Sequence, residues 1–185
     1  MPQRPADTAD HAFCLCATYA AQRAEVLRDP GAPPRTALDD ERGWLVTQGV
    51  ARLVEPFVTH LPDDDADLAR YAGLDASAAG ELLGLLTPEQ LADRQNDAPT
   101  LGALLRAATD HPDDVEVHGY LVGPARTDER ITAEGVDLYG LHDLEPVWAV
   151  AQTLGITGAR REPDAVVARV NPWRPYEPCW RLWWD

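Results

Sequence analysis

The spacing of apolar residues changes once along this chain, at His111-Pro112. Before it they recur at helical intervals. After it they alternate, as on a strand with one buried face. A chain with this pattern is expected to be α+β: helices first, then a largely antiparallel sheet.

In the first half, Phe13, Cys16, Ala17, Ala20, Ala24 and Leu27 mark a helix, with Thr8 or Asp10 as cap. The Pro-rich segment 29–37 breaks the chain. A second helix is expected from Thr36 or Asp39, with Val46, Val50, Leu53, Val54, Phe57, Val58 and Leu61 inward. Pro56 should kink or end it, because it lacks an N–H and crowds the preceding turn. Shorter helices follow over 65–72, stopped by Gly73, and over 76–86, capped by Asp75. Thr87-Pro88-Glu89-Gln90 carries the residues of a capping box, with Pro at N1. That helix is expected to reach Asn96. Asp97 is expected to cap the last one, with Leu101, Leu104, Leu105 and Ala108 inward.

In the second half, Val115–Val122 alternates, Gly123-Pro124 turns, and 129–139 returns. Residues 144–154 read as a helix ending at Gly155. Residues 165–170 and 179–184 are two more strands, joined by NPWRPYEP. The order ββαββ with short connections favours antiparallel hairpins. Residues 1–10 read as a disordered tail, 11–111 as a helical part and 113–185 as a ββαββ part, the two parts being separate or one continuous domain.

Sixteen Arg, no Lys, and 31 Asp plus Glu give a formal net charge of −15. Both halves are acidic. Such a surface repels phosphate backbones and anionic membranes, which are bound by clustered cations. It favours solubility and a basic protein partner. Without Lys there can be no Schiff-base lysine and no P-loop lysine. The Arg-only cation set fits the codon bias of a GC-rich bacterial genome. No basic n-region, long apolar run or even cysteine set is present, so a reduced, cytoplasmic setting is expected.

Within 65–83, Ala69, Gly73, Ala79 and Leu82 resemble the small-residue, turn-glycine and apolar spacing of a bacterial helix-turn-helix. That resemblance implies two packed helices and a DNA-reading role. No Arg lies between Arg70 and Arg94, however, and base reading needs donors and cations. A helical hairpin without DNA contact is therefore the expectation. Asp63, Asp64, Asp65 and Asp67 do not make a calcium loop, because its sixth and twelfth positions hold Leu68 and Leu74. His11, Cys14, Cys16 and Cys179 are soft ligands, but on a helix Cys14 and Cys16 would point about 200° apart. No metal or other cofactor is expected.

On the first C-terminal strand, Glu116, His118 and Tyr120 share one face, opposite Val115, Val117 and Leu121. Arg169, Arg181 and Trp183 can join them in a polar–aromatic patch. Tyr, Trp and Arg are enriched at binding hot spots. Trp148, Trp180 and Trp184 are assigned to the core between helix and sheet. The resulting expectation is a non-enzymatic module of the regulator, inhibitor or immunity type, or a nucleic-acid mimic, binding a protein through that patch. The alternatives are a helix-turn-helix regulator and a small enzyme with a site near His118. The sequence leaves the oligomeric state open.

Overall fold

A computed structural model describes residues 14–38, 40–60, 68–141 and 146–185. The caps at Thr8, Asp10 and Asp39, the tail 1–10, His11 and the run Asp63–Asp67 lie outside them.

The first helix, α1, spans Leu15–Val26. The expected second helix is broken into α2 (Trp44–Thr47), α3 (Val50–Val54) and a 3-10 turn over Glu55–Phe57. The breaks follow from local chemistry. Gly43 and Gly49 adopt φ of 85° and 83°, where a Cβ is strained, and Pro56 ends the α-helical ladder. The chain then leaves as a short strand, β1 (Val58–His60).

The described part of the helix expected over 65–72, residues 68–72, is not helical. Residues Leu68–Leu74 are a strand, β2, paired antiparallel with both β1 and β3 (Val115–Val122). Gly73 ends no helix. It takes φ 71° beside an irregularity in the β2–β3 register, and a Cβ there would lie 2.6 Å from the Trp173 ring. The paired-helix geometry behind the helix-turn-helix resemblance is therefore absent.

The remaining helices follow their caps. In α4 (Ala76–Leu85), Asp75 accepts from the Ala78 N–H. In α5 (Pro88–Ala92), Thr87 and Gln90 make both bonds of the capping box, at 3.3 and 2.9 Å. Helix α5 stops short of Asn96, which sits at φ 46°. The next helix, α6 (Leu101–Asp110), is capped by Thr100 instead of Asp97. Pro99 favours that start, because the residue before a proline is disfavoured in the α region and Thr100 can cap instead. Leu101, Leu104, Leu105 and Ala108 are buried, as their spacing predicts. Each leucine contributes about 2 kcal/mol of burial.

The hairpin of β3 and β4 (Arg130–Tyr139), helix α7 (Val147–Thr153) and the hairpin of β5 (Ala165–Val170) and β6 (Pro178–Trp183) give the expected ββαββ order. Gly155, at φ 80°, follows the end of α7. The six strands found among the described residues join one antiparallel sheet in the order β1-β2-β3-β4-β6-β5. The first half thus supplies two of its strands. One face of the sheet carries Val115, Val117, Leu121, Val136, Leu138 and Leu182 into a core with α4 and α6. Trp184 is fully buried there, edge-on to Trp148 with ring centroids 5.7 Å apart. Trp180 packs at its margin.

Two buried ionic groups pin the segment before α2 to the β3–β4 turn. Arg42 donates to the carbonyls of Pro33, Pro124 and Ala125. The Glu129 carboxylate accepts from the N–H groups of Gly43 and Leu45 at 2.6 and 3.1 Å. Among the described residues, no helix is long and apolar enough to cross a membrane.

Candidate functional site

The other face of the sheet is polar, yet much of it is buried. Register explains which side chains meet. Glu116 lies opposite Asp137, and Asp137 opposite Arg181. His118 lies opposite Gly135, and Gly135 opposite Trp183. Cys179 lies opposite Arg169. Cross-strand partners share a face, so Glu116, His118, Asp137, Arg169, Arg181 and Trp183 project to the same side.

A β-bulge adjusts this face. His118 pairs with Gly135, but Gly119 pairs with Ala133, which leaves Glu134 as an extra residue. The bulge turns Glu134 toward the polar side, where it accepts from Arg70 Nη1 at 2.9 Å. Gly135 beside it is obligatory. A Cβ there would lie 1.9 Å from the Leu182 carbonyl oxygen and 3.0 Å from His118 Nε2. Its absence lets the imidazole reach across β4 to bond that carbonyl at 3.1 Å. A carbonyl only accepts, so Nε2 carries the proton and Nδ1 keeps its lone pair.

The connection between β5 and β6 folds over one end of this face. Trp173 Nε1 and the Tyr139 hydroxyl donate to Glu116 Oε2 at 2.8 and 2.7 Å. Asn171 Nδ2 donates to Asp137 Oδ2 at 2.9 Å and to the Tyr139 hydroxyl oxygen at 2.7 Å. The Arg174 guanidinium stacks over the Tyr139 ring at 3.7 Å. Arg181 grips Asp137 with two bonds, at 2.7 and 2.6 Å.

What stays open is a cleft of about 450 Å³. Side chains from both sheet edges reach it: His60 from β1 and Arg169 from β5. In a flat sheet those strands would stand about 24 Å apart, five spacings of 4.8 Å. The sheet is therefore curled, with its polar face concave. Arg70, Arg169, Arg181, His60 and His118 line the cleft, together with Glu134 and Trp173. Arg70 is paired with Glu134, and Arg181 with Asp137. Arg169 differs: its Nε is buried and has no hydrogen-bond partner among the described residues.

Electrostatics follow from burial. Burial lowers the pKa of His118 to about 4, and the nearby Arg181 adds to the effect, so the ring is neutral at pH 7. Burial pushes the Asp137 carboxyl up, but its bonds to Arg181 outweigh that and hold it below the usual carboxylate range. Burial pushes the Cys179 thiol up to about 12, so it is no thiolate.

Of the six residues expected to form one patch, His118, Arg169 and Arg181 line the cleft. Glu116 lies beneath the β5–β6 connection. Tyr120 is buried, its hydroxyl donating to Gln95 at 2.7 Å, with the Arg70 and Arg130 guanidiniums each 5.9 Å from its ring centre. Trp183 shares the face beside Gly135 but is not among the cleft-lining residues. The patch is a recessed cleft and not a flat surface. Sequence reasoning missed Arg70, Glu134, Asp137 and Trp173. A signal for the bulge was present in β4. Ile131 and Ala133 point to the core, then Val136 and Leu138 do, and that change of parity needs one extra residue between them.

The geometric objection to a joint role for Cys14 and Cys16 also falls. Helix α1 begins at Leu15, and Cys14 precedes it in extended conformation, φ −112° and ψ 120°. The two thiols and the Glu55 carboxylate present ligand atoms within 4.8 Å of one another.

No protein-family profile matches this chain, and neither a curated protein nor a solved structure is significantly similar to it.

Proposed function

We propose that this chain is a non-enzymatic binding module whose concave cleft receives a small molecule bearing a carboxylate or phosphate. The observation that carries this reading is Arg169: a buried guanidinium Nε without a partner among the described residues, beside two further arginines, in a cleft of ligand size. An anion would supply the missing acceptor through a charge-assisted bond. The acidic exterior excludes polyanions such as nucleic acid but leaves a small anion free to enter. His118 supports binding over catalysis. An imidazole with a pKa of about 4 is a weak proton acceptor at neutral pH, far from the match a general base needs. Small anions such as citrate or phosphate are expected to bind, and Arg169→Gln to weaken them at least about ten-fold, the value of one hydrogen bond to a charged group. Unchanged affinity in that variant would dispose of the proposal.

A second reading concerns a protein partner. Strand β5 is a sheet edge, and Val167, Val170 and Tyr176 on or beside it are 54%, 52% and 94% exposed. An apolar edge with free N–H and C=O groups accepts an added strand. Lysine at Val167 and Val170 is expected to abolish capture of such a partner. Capture that survives both substitutions would exclude this edge.

A further inference from the structure

The start of α1 is capped from far away in sequence. Cys14 makes no side-chain cap bond. Instead Glu55, at the junction of α3 and the 3-10 turn, presents its carboxylate to the first turn. The Cys16 N–H lies 3.4 Å from Oε1, and the Cys16 Sγ lies 3.4 Å from Oε2. Glu55 is the C-terminal cap of α3, at φ −47° and ψ −42°.

We propose that Cys14, Cys16 and Glu55 form a zinc site: two thiolates and a carboxylate, with solvent in the fourth position. The donor set suits a borderline cation that takes sulfur and oxygen together. Copper(I) prefers soft ligands alone, and calcium or magnesium prefers oxygen. Spacing suits it too. Zn–S of about 2.3 Å and Zn–O of about 2.0 Å place tetrahedral ligand atoms roughly 3.5–3.8 Å apart. The Cys16–Glu55 pair is already at 3.4 Å, and all three ligand atoms fall within 4.8 Å. Closing the site therefore needs shifts of no more than about 1 Å. Cys14 is exposed, which gives the ion a path in.

Each thiol gives its proton to solvent as its Zn–S bond forms, and no electrons are transferred. The ion would tie α1 to the α3 junction, far from the cleft residues in sequence.

The test uses the full reduced chain, stripped with a chelator and titrated with Co²⁺ and then Zn²⁺. One equivalent should bind, with a sulfur-to-cobalt charge-transfer band that zinc bleaches, and with proton release on zinc uptake. Cys14→Ser should lose the band and weaken zinc by about a hundred-fold or more, while circular dichroism shows an intact fold. Glu55→Gln keeps the size and one oxygen donor and should weaken it about ten-fold. Cys179 is present in every variant, so it cannot account for a loss. No uptake by the wild-type chain, or an equal band in Cys14→Ser, would overturn the assignment.

Discussion

His118 is buried in the cleft, and its Nε2 bonds the neutral Leu182 carbonyl. Charging it in the folded state is costly, mainly because burial removes water and secondarily because Arg181 is near. The unfolded chain carries the same imidazole at about 6.5. Between pH 6.5 and about 4 the unfolded chain therefore holds more protons. The contribution to stability is complete above pH 6.5 and is lost as pH falls toward 4. The shift corresponds to roughly 3 kcal/mol over that window. Urea denaturation at a series of pH values should show the slope, and His118→Gln should flatten it. An identical slope in the variant would contradict the buried neutral imidazole. This position was readable from sequence, because alternation on β3 puts Glu116, His118 and Tyr120 on one face. Their depth was not, because Trp173 covers Glu116 from 57 residues away.

Elements with strong local chemistry formed as their residues predict. The capping box of α5 is the clearest case: a hydroxyl and an amide three residues apart satisfy each other's backbone donors. Thr87→Ala should cost about 1 kcal/mol, measured by denaturant midpoint, and Thr87→Ser should restore most of it. A loss in the serine variant equal to that in alanine would show that the hydroxyl bond is not the cause. Strand β2 shows the opposite situation. Leu68–Leu74 contains no β-branched residue, and its small residues fit a helix as well as a strand. Its conformation is decided by pairing: Tyr71 opposite Gly119, with the Tyr71 hydroxyl bonded to the Thr132 carbonyl at 3.0 Å. Partners about fifty residues distant leave no trace in local propensity. Local pattern therefore puts Arg70 on a helix, whereas pairing puts it on β2 in the lining of the cleft.

At the scale of the molecule, the charge arithmetic and the fold act on different surfaces. A net charge of −15 describes the whole surface. Curling of the sheet gathers Arg70, Arg169 and Arg181 from three strands into one recess, which composition cannot register. Two of these arginines are matched by carboxylates, and the Arg169 Nε has no acceptor among the described residues. Attraction of an anion to this open recess acts partly through solvent, so it should weaken as salt rises. The most direct test is calorimetric titration of the wild-type chain and of Arg169→Gln with citrate, at low and at physiological ionic strength. Saturable binding at one site, weaker in salt and at least about ten-fold weaker in the variant, is the predicted result. No heat of binding from citrate or phosphate at low salt, or equal affinity in the two proteins, would contradict a cleft built for anions.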